Sequence, residues 1–494
     1  MQAFRKHNPQ LLEINAYTFC HEISEKYGRT VSLGTIPREE WLELADHGFN
    51  YVWLMGVWRR SAQSRRCALD QDDLRQAYSE ALPGWQEQDI VGSPYAIYSY
   101  EVDPFLGNTK DLLKLKADLN SLGLGLILDF VPNHLAIDHP WTNNHPEFFI
   151  QGTSKDSAEN PELFFKKNKR HLAHGKDPYF SPWSDTAQIN YFSIDARQTL
   201  IDELLKIAQW ADGVRCDMAM LVINRIFTST WGTYLETVEQ PGREFWQEAI
   251  EQVESLYPDF IFIAEAYWDL ERELQNQGFD YTYDKKLYDL LVHAGADRIQ
   301  DYLKSDLSYQ EKCVRFIENH DEPRAVSAFG IEKSFAAACI TATLPGMHFF
   351  HDGQIQGNTV KLPVQLSRKP EEQPNPEYIA FYDRLFAYIH DETFHSGTWQ
   401  LVDINPAWLG NDSCGNIIAW LWHAGRRTKL VIVNYSASTS QARVVLPGEF
   451  IRKKQIIFKD HTDDAVYKRE AAKLTASGLY VVLGPWKIHL FELL

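Results

Sequence analysis

Apolar and polar positions in the first 350 residues switch repeatedly between strand-like runs and helix-like periods. Residues 11–19 read as a strand and 49–58 as a second, more apolar one. Between them, 37–47 read as a helix, with Pro37 in its first turn and Trp41, Leu42, Leu44 and Ala45 on one face. Asn108 is placed to cap a helix running to Leu122, where Gly123 stops it. The run LGLILDFV (124–131) then has the unbroken apolarity of a strand buried on both faces. The alternation continues with a helix over 197–208, a strand over 213–217, a helix over 244–256, and strands over 259–264, 314–317 and 347–350. Repeated βα units imply a parallel sheet, and about eight of them favour a closed (β/α)₈ TIM barrel.

Two stretches break this rhythm. Residues 135–187 are rich in Asn, His, Pro, Lys and aromatics without a clean period, and read as a subdomain inserted after the third strand. From 396 onward, short β-rich runs such as IIAWLWH, KLVIVNY and LYVVLG alternate with turn residues, which predicts an all-β Greek-key or sandwich domain. The expected division is a barrel over 1–134 and 188–395, an inserted subdomain over 135–187, and a β domain over 396–494.

Composition narrows the partners. Aromatic residues reach 13%, with 15 Trp, 23 Tyr and 27 Phe. Flat rings suit sugars and bases alike. The net charge of −18 removes nucleic acid and an anionic membrane surface from that choice. The six cysteines are scattered without a CxxC pair, which argues against zinc and a disulfide framework. The N-terminus lacks an apolar signal core, and the apolar stretch 335–350 is interrupted by Thr341, Thr343, Pro345 and Gly346. A cytoplasmic protein is expected.

Four segments carry the chemistry, each at the end of an expected barrel strand: LDFVPNH (128–134), GVRCDMA (213–219), FIAEAYW (262–268) and FIENHDEPR (316–324). In such a barrel the C-terminal strand ends converge on one cavity. Asp129, His134, Arg215, Asp217, Glu265, His320 and Asp321 then share one rim. Carboxylates after apolar strands are costly unless solvated, paired or used. The pattern fits retaining glycoside hydrolysis, which needs an ionised nucleophile and a protonated acid roughly 5–5.5 Å apart. Arg215 lies two residues before Asp217, on the same strand face, and is expected to hold it ionised as the nucleophile. Glu265 follows an apolar strand and precedes Tyr267 and Trp268, surroundings expected to raise its pKa for acid/base work. Cys216, between Arg215 and Asp217, should face the barrel wall.

These segments, in this order, resemble the four signature regions of the α-amylase family of glycoside hydrolases. QINY (188–191) is similar to a fifth, and GSPYAIYSYEVDP (92–104) to the segment bearing a sugar-stacking aromatic. The resemblance implies Asp217 as nucleophile, Glu265 as acid/base and Asp321 as transition-state stabiliser. It implies substrate contacts for Arg215, His134, His320 and Tyr95, with Asp129 supporting the arginine and the rim; Trp268 is added as a rim aromatic. The implied reaction is cleavage of α-1,4-glucosidic bonds in starch, glycogen or maltooligosaccharides. The alternatives are a 4-α-glucanotransferase on the same scaffold and an inactive sugar-binding barrel.

The chain also departs from the family pattern. Met220 and Leu221 stand where many members carry a sugar-binding Lys-His pair, and Ser99–Tyr100 where a DY pair is frequent. The family's calcium site finds a match in Asn133, but Asp156, Asp177 and Asp185 have no supporting spacing as further ligands, so no metal or cofactor is assigned. KKNKR (166–170) reads as a solvated loop, and His171 and His174 lack a partner pair for a metal.

Overall fold

Eight short parallel strands close on themselves in the computed structural model, which describes residues 7–235, 239–451 and 453–494. They are β1 (Gln10–Asn15), β2 (Tyr51–Met55), β3 (Gly125–Phe130), β4 (Gly213–Cys216), β5 (Ile261–Ala264), β6 (Tyr281–Tyr283), β7 (Cys313–Arg315) and β8 (Met347–His351). Each pairs in parallel with its sequence neighbours, and β8 returns to β1. The fold is therefore the expected TIM barrel.

The local reasons are visible in the sequence. β3 is buried at every position, as its unbroken apolar run requires. The helix Thr109–Ser121 begins at Asn108, whose side chain accepts the Lys110 N–H, and Gly123 follows its end with φ +80°. The strand expected over 11–19 stops at Asn15, because that side chain accepts the N–H groups of Tyr17 and Thr18 and starts the helix Ala16–Tyr27. β6 was not legible, since three residues carry too little period to read.

Between β3 and β4 the inserted subdomain opens and closes on one antiparallel pair, Thr186–Gln188 against His134–Ala136. Its remaining strands, Gln151–Gly152, Phe164–Lys167 and Arg170–Ala173, form a small sheet. KKNKR thus lies in a hairpin turning at Asn168 (φ +55°). A second elaboration, unforeseen in the sequence, lies between β2 and β3: the helices Ala62–Asp70 and Asp72–Ala81. With Ile90 and Leu366 they enclose a separate apolar cluster around Tyr78, Ala68 and Leu82.

The C-terminal domain is all-β. A six-stranded antiparallel sheet faces a three-stranded one across Ile432, Phe458, Val444 and Leu479. The larger sheet's other face joins the barrel core, where Trp420 and Trp422 donate their indole N–H groups to the Thr343 carbonyl. Among the described residues, no helix is long and apolar enough to cross a membrane.

Candidate active site

The carboxylates singled out in the sequence meet at the C-terminal end of the barrel. Asp217 follows β4 and Glu265 follows β5, both nearly buried. Their backbone N–H groups extend the sheet ladder, Asp217 to the Phe130 carbonyl and Glu265 to the Cys216 carbonyl. Arg215, inside β4, links the two side chains. Its Nη1 lies 2.7 Å from Asp217 Oδ1 and its Nη2 2.8 Å from Glu265 Oε2. The guanidinium is packed among the rings of Trp53, Tyr95 and Tyr283, at 5.1, 5.3 and 5.5 Å. Cys216 is fully buried, as its opposite facing predicts.

Glu265 is held by further donors. Met218 gives its backbone N–H to Oε2 at 2.6 Å, and the Tyr267 hydroxyl donates to Oε1 at 2.9 Å. Met218 reaches that orientation with φ +42°, a conformation costly for a side-chain-bearing residue and one that marks stored strain. Arg215 favours the ionised form of Asp217 through its charge and its hydrogen bond. Burial, reinforced by the Glu265 charge and opposed by Arg215, pushes the Asp217 carboxyl up to about 7.

Asp321 follows β7 in a turn fixed by Asn319, whose side chain accepts the N–H groups of Asp321 and Glu322. The His320 ring sits between two carboxylates: Nδ1 lies 2.5 Å from Glu13 Oε1 and Nε2 3.1 Å from Asp321 Oδ2. Burial disfavours the charged ring, but Asp321 and Glu13 together hold its pKa well above the usual value. In turn His320, with help from Arg215 and Lys361, outweighs burial and holds Asp321 well below the usual carboxylate range. The Tyr95 hydroxyl lies 2.8 Å from His320 Nε2. Glu13, on β1, was missed, although a carboxylate inside the apolar run LLEIN was a readable signal.

The other expected residues sort by depth. His134 and Tyr95 line the cleft with Asp217, Glu265 and Asp321, and Trp183 joins them with its ring 5.0 Å from His134. Asp129 does not line it. It lies beneath, 1% exposed, accepting the Trp53 indole N–H at 3.0 Å and the Gly56 N–H at 2.7 Å, and so steadies a ring under Arg215. Trp268 lines a neighbouring cavity that shares Met218 with the first, and its ring meets Tyr179 at 4.8 Å. Met220 and Leu221 are buried, so neither side chain replaces a Lys-His pair at the surface of the cleft. His351 and Asp352 lie in a charged network behind His320, paired with Glu318 and Lys369.

The residues at the family's calcium position do not suit a cation. The Gln188 amide nitrogen donates to Asn133 O, Asn133 Oδ1 and Ile189 O at 2.9, 3.0 and 3.1 Å, filling the point where those oxygens converge. The candidate aspartates are engaged elsewhere: Asp156 caps a helix, Asp177 accepts the N–H groups of Tyr179 and Phe180, and Asp185 accepts from Ser64. His171 and His174 bond separately to Ser154 and the Thr186 carbonyl. Among the described residues, no three His, Cys, Asp or Glu side chains group to hold a metal.

Residues 44–393 match the family described as Alpha amylase, catalytic domain. Alpha-amylase 3 of Dictyoglomus thermophilum is 24% identical over 298 residues, covering 55% of each chain. An α-1,4-glucan:maltose-1-phosphate maltosyltransferase of Rhodospirillum rubrum is 27% identical over 282 residues, 54% of this chain and 35% of that one. The chain thus spans about half the length, or less, of these curated relatives. Among solved structures, a noncanonic maltogenic α-amylase, AmyB from Thermotoga neapolitana, shares the fold with a TM-score of 0.69 at 20% identity, over 98% of both chains. With seven-tenths of its length matched to the catalytic domain, the chain belongs to the α-amylase family.

Proposed function

We propose that this chain is a retaining glycoside hydrolase that cleaves α-1,4-glucosidic bonds of starch, glycogen or maltooligosaccharides. The observation that carries the reading is the single buried guanidinium of Arg215 joining Asp217 to Glu265 on the floor of the cleft. Two carboxyl groups so placed share protons, which is what a nucleophile and an acid/base require.

The hydrogen bonds support particular atoms in each role. Arg215 occupies Asp217 Oδ1, which leaves Oδ2 to attack the anomeric carbon. Glu265 Oε2 accepts the Met218 N–H and is ion-paired with the Arg215 guanidinium, and neither partner can accept a proton in return. The acid proton therefore belongs on Oε1, where the Tyr267 hydroxyl can reverse its role. As Oδ2 forms the bond to the sugar, that proton passes to the glycosidic oxygen and the leaving chain departs. Glu265, now ionised, takes a proton from water, which attacks the anomeric carbon and releases Asp217. Tyr95 offers its face to the sugar ring, while ionised Asp321 and His320 bind its hydroxyls. The six free, scattered cysteines support a reducing, cytoplasmic setting.

The test is a product time course on maltoheptaose and soluble starch, with the anomeric form of fresh product read by NMR. Short α-anomeric maltooligosaccharides and a rising reducing-end count are expected. Products longer than heptaose with a flat reducing-end count would assign a 4-α-glucanotransferase instead. Absence of any turnover would leave a sugar-binding barrel.

A further inference from the structure

The helix pair Ala62–Asp70 and Asp72–Ala81 touches both lips of the cleft. Toward the inserted subdomain, Ser61 Oγ donates to Asp138 at 2.5 Å, Ser64 Oγ to Asp185 at 2.6 Å, and Gln71 Nε2 lies 3.3 Å from Ser184 Oγ. Toward the loop after β8, the contact is an apolar cluster in which Tyr78 and Leu366 are fully buried. Between helix and loop, Arg65 donates to the carbonyls of Ile90 and Glu87. Ile90 then pairs antiparallel with Leu366, and the Val91 and Ser367 N–H groups exchange bonds with the Gln365 and Asp89 carbonyls. Asp89 closes the seam with a bidentate pair to Arg368, both contacts at 2.9 Å. Such two-pronged pairing fixes geometry as well as adding attraction.

The result is an arch from the inserted subdomain to the β8 loop. Its inner side supplies Cys67, Gln71, Leu74 and Gln365 to the same 480 Å³ cavity that Asp217, Glu265 and Asp321 floor. A second cavity is lined by Met218 and Tyr267, the two residues that donate hydrogen bonds to the Glu265 carboxylate, and by Trp268, and so opens from the Glu265 end of the site, where a leaving group is protonated. The arch therefore stands on the donor side. A glucan cut in its interior must continue past the bound sugar on that side and leave between the two lips.

We propose that this arch confines attack to the non-reducing ends of α-1,4-glucans, so that each turnover releases a short oligosaccharide whose length is the distance from the arch to Asp217. The proposal rests on the α-1,4-glucan reading above. It assigns the helix pair and the β8 loop a specificity role that the catalytic residues do not carry.

The experiment compares the consumption of three substrates: free maltoheptaose, maltoheptaose blocked at its non-reducing end by an ethylidene group, and a cyclic α-1,4-linked heptaglucan. The wild-type protein should process the free chain at least about 100-fold faster than either of the others, a discrimination of roughly 2.7 kcal/mol. Arg368→Ala should loosen the seam and raise the blocked-to-free ratio by about tenfold or more, with thermal unfolding recorded to show that the variant is folded. Wild-type consumption of the blocked or cyclic substrate at a rate comparable to the free chain would overturn the proposal, whether or not the variant folds. A folded Arg368→Ala protein with an unchanged ratio would overturn the part given to the arch. No consumption of free maltoheptaose would overturn the glucan reading itself, and this proposal with it.

Discussion

Glu13 on the first barrel strand holds the Nδ1 of His320, which follows the seventh, at 2.5 Å, with both side chains almost wholly buried. The same ring reaches Asp321 with Nε2, so a carboxylate with no access to solvent sets the charge of a group that faces the cleft. Removing that carboxylate's charge should be felt at Asp321. Glu13→Gln should lower kcat/KM by roughly 10- to 100-fold, the range of a lost buried charge-assisted hydrogen bond. The His320 pKa falls in that variant, so the alkaline limb of activity should move to lower pH. The stability that protonated His320 contributes is full below its unfolded value of about 6.5 and is lost as pH rises through its raised folded value. In the variant that loss should be smaller and complete at a lower pH. A pH–rate profile on both proteins checks it, and superimposable alkaline limbs would contradict the coupling.

Asp217→Asn should lower turnover by at least about 10⁴-fold, as expected for the loss of a nucleophile. Its effect on stability runs the other way. Folded Asp217 keeps its proton to about pH 7, whereas the unfolded carboxyl loses it near 3.9. Across that window the folded state binds more protons, so wild-type stability falls as pH rises, and above about 7 the full penalty remains. The asparagine variant should lack this slope and melt at a higher temperature than wild type at pH 7.5. Equal melting temperatures at pH 5 and 7.5 in the wild type would argue against a raised Asp217.

Glu265→Gln should reduce hydrolysis of maltoheptaose by about 10²–10⁴-fold, the usual contribution of a general acid. An aryl maltoside with a strongly activated leaving group needs no proton, so formation of its glycosyl-enzyme should be spared. Burst kinetics on the aryl substrate separate the two steps. An equal loss on both substrates before the burst would assign Glu265 a different role.

Gln188→Glu should expose what the amide does at the family's calcium position. A carboxylate there faces Asn133 O, Asn133 Oδ1 and Ile189 O, which are all acceptors, and cannot donate to any of them. The variant should be destabilised by about 1–3 kcal/mol, the cost of unsatisfied buried polar groups. Millimolar calcium should restore its melting temperature while leaving the wild type unmoved, and EDTA should not change wild-type activity. Calcium stabilisation of the wild type, read by thermal unfolding, would contradict the assignment.

The parts of the molecule legible in the sequence are those whose cause is local. β3 is an apolar run, Asn108 and Gly123 bound a helix by their own side-chain and backbone properties, and Asp217, Glu265 and Asp321 each follow a strand end that the barrel must turn toward one rim. Where local signals competed, one side chain decided: Asn15 could have continued a strand, but its amide capped the next helix.

What tertiary structure alone decided depends on groups far apart in the chain. Asp217 and Glu265 are 48 residues apart, and only the barrel puts both on one buried guanidinium, where burial and the Glu265 charge push the Asp217 carboxyl up. His320 is 307 residues from the Glu13 that charges it. The arch over the donor side joins helices near residue 70 to a loop near 366 through an apolar cluster that neither segment forms alone. A sequence states which residues can do chemistry, because side-chain identity and strand ends are local properties. The charge each one carries and the length of chain the cleft admits follow from burial and from distances between remote segments, and the closed fold sets both.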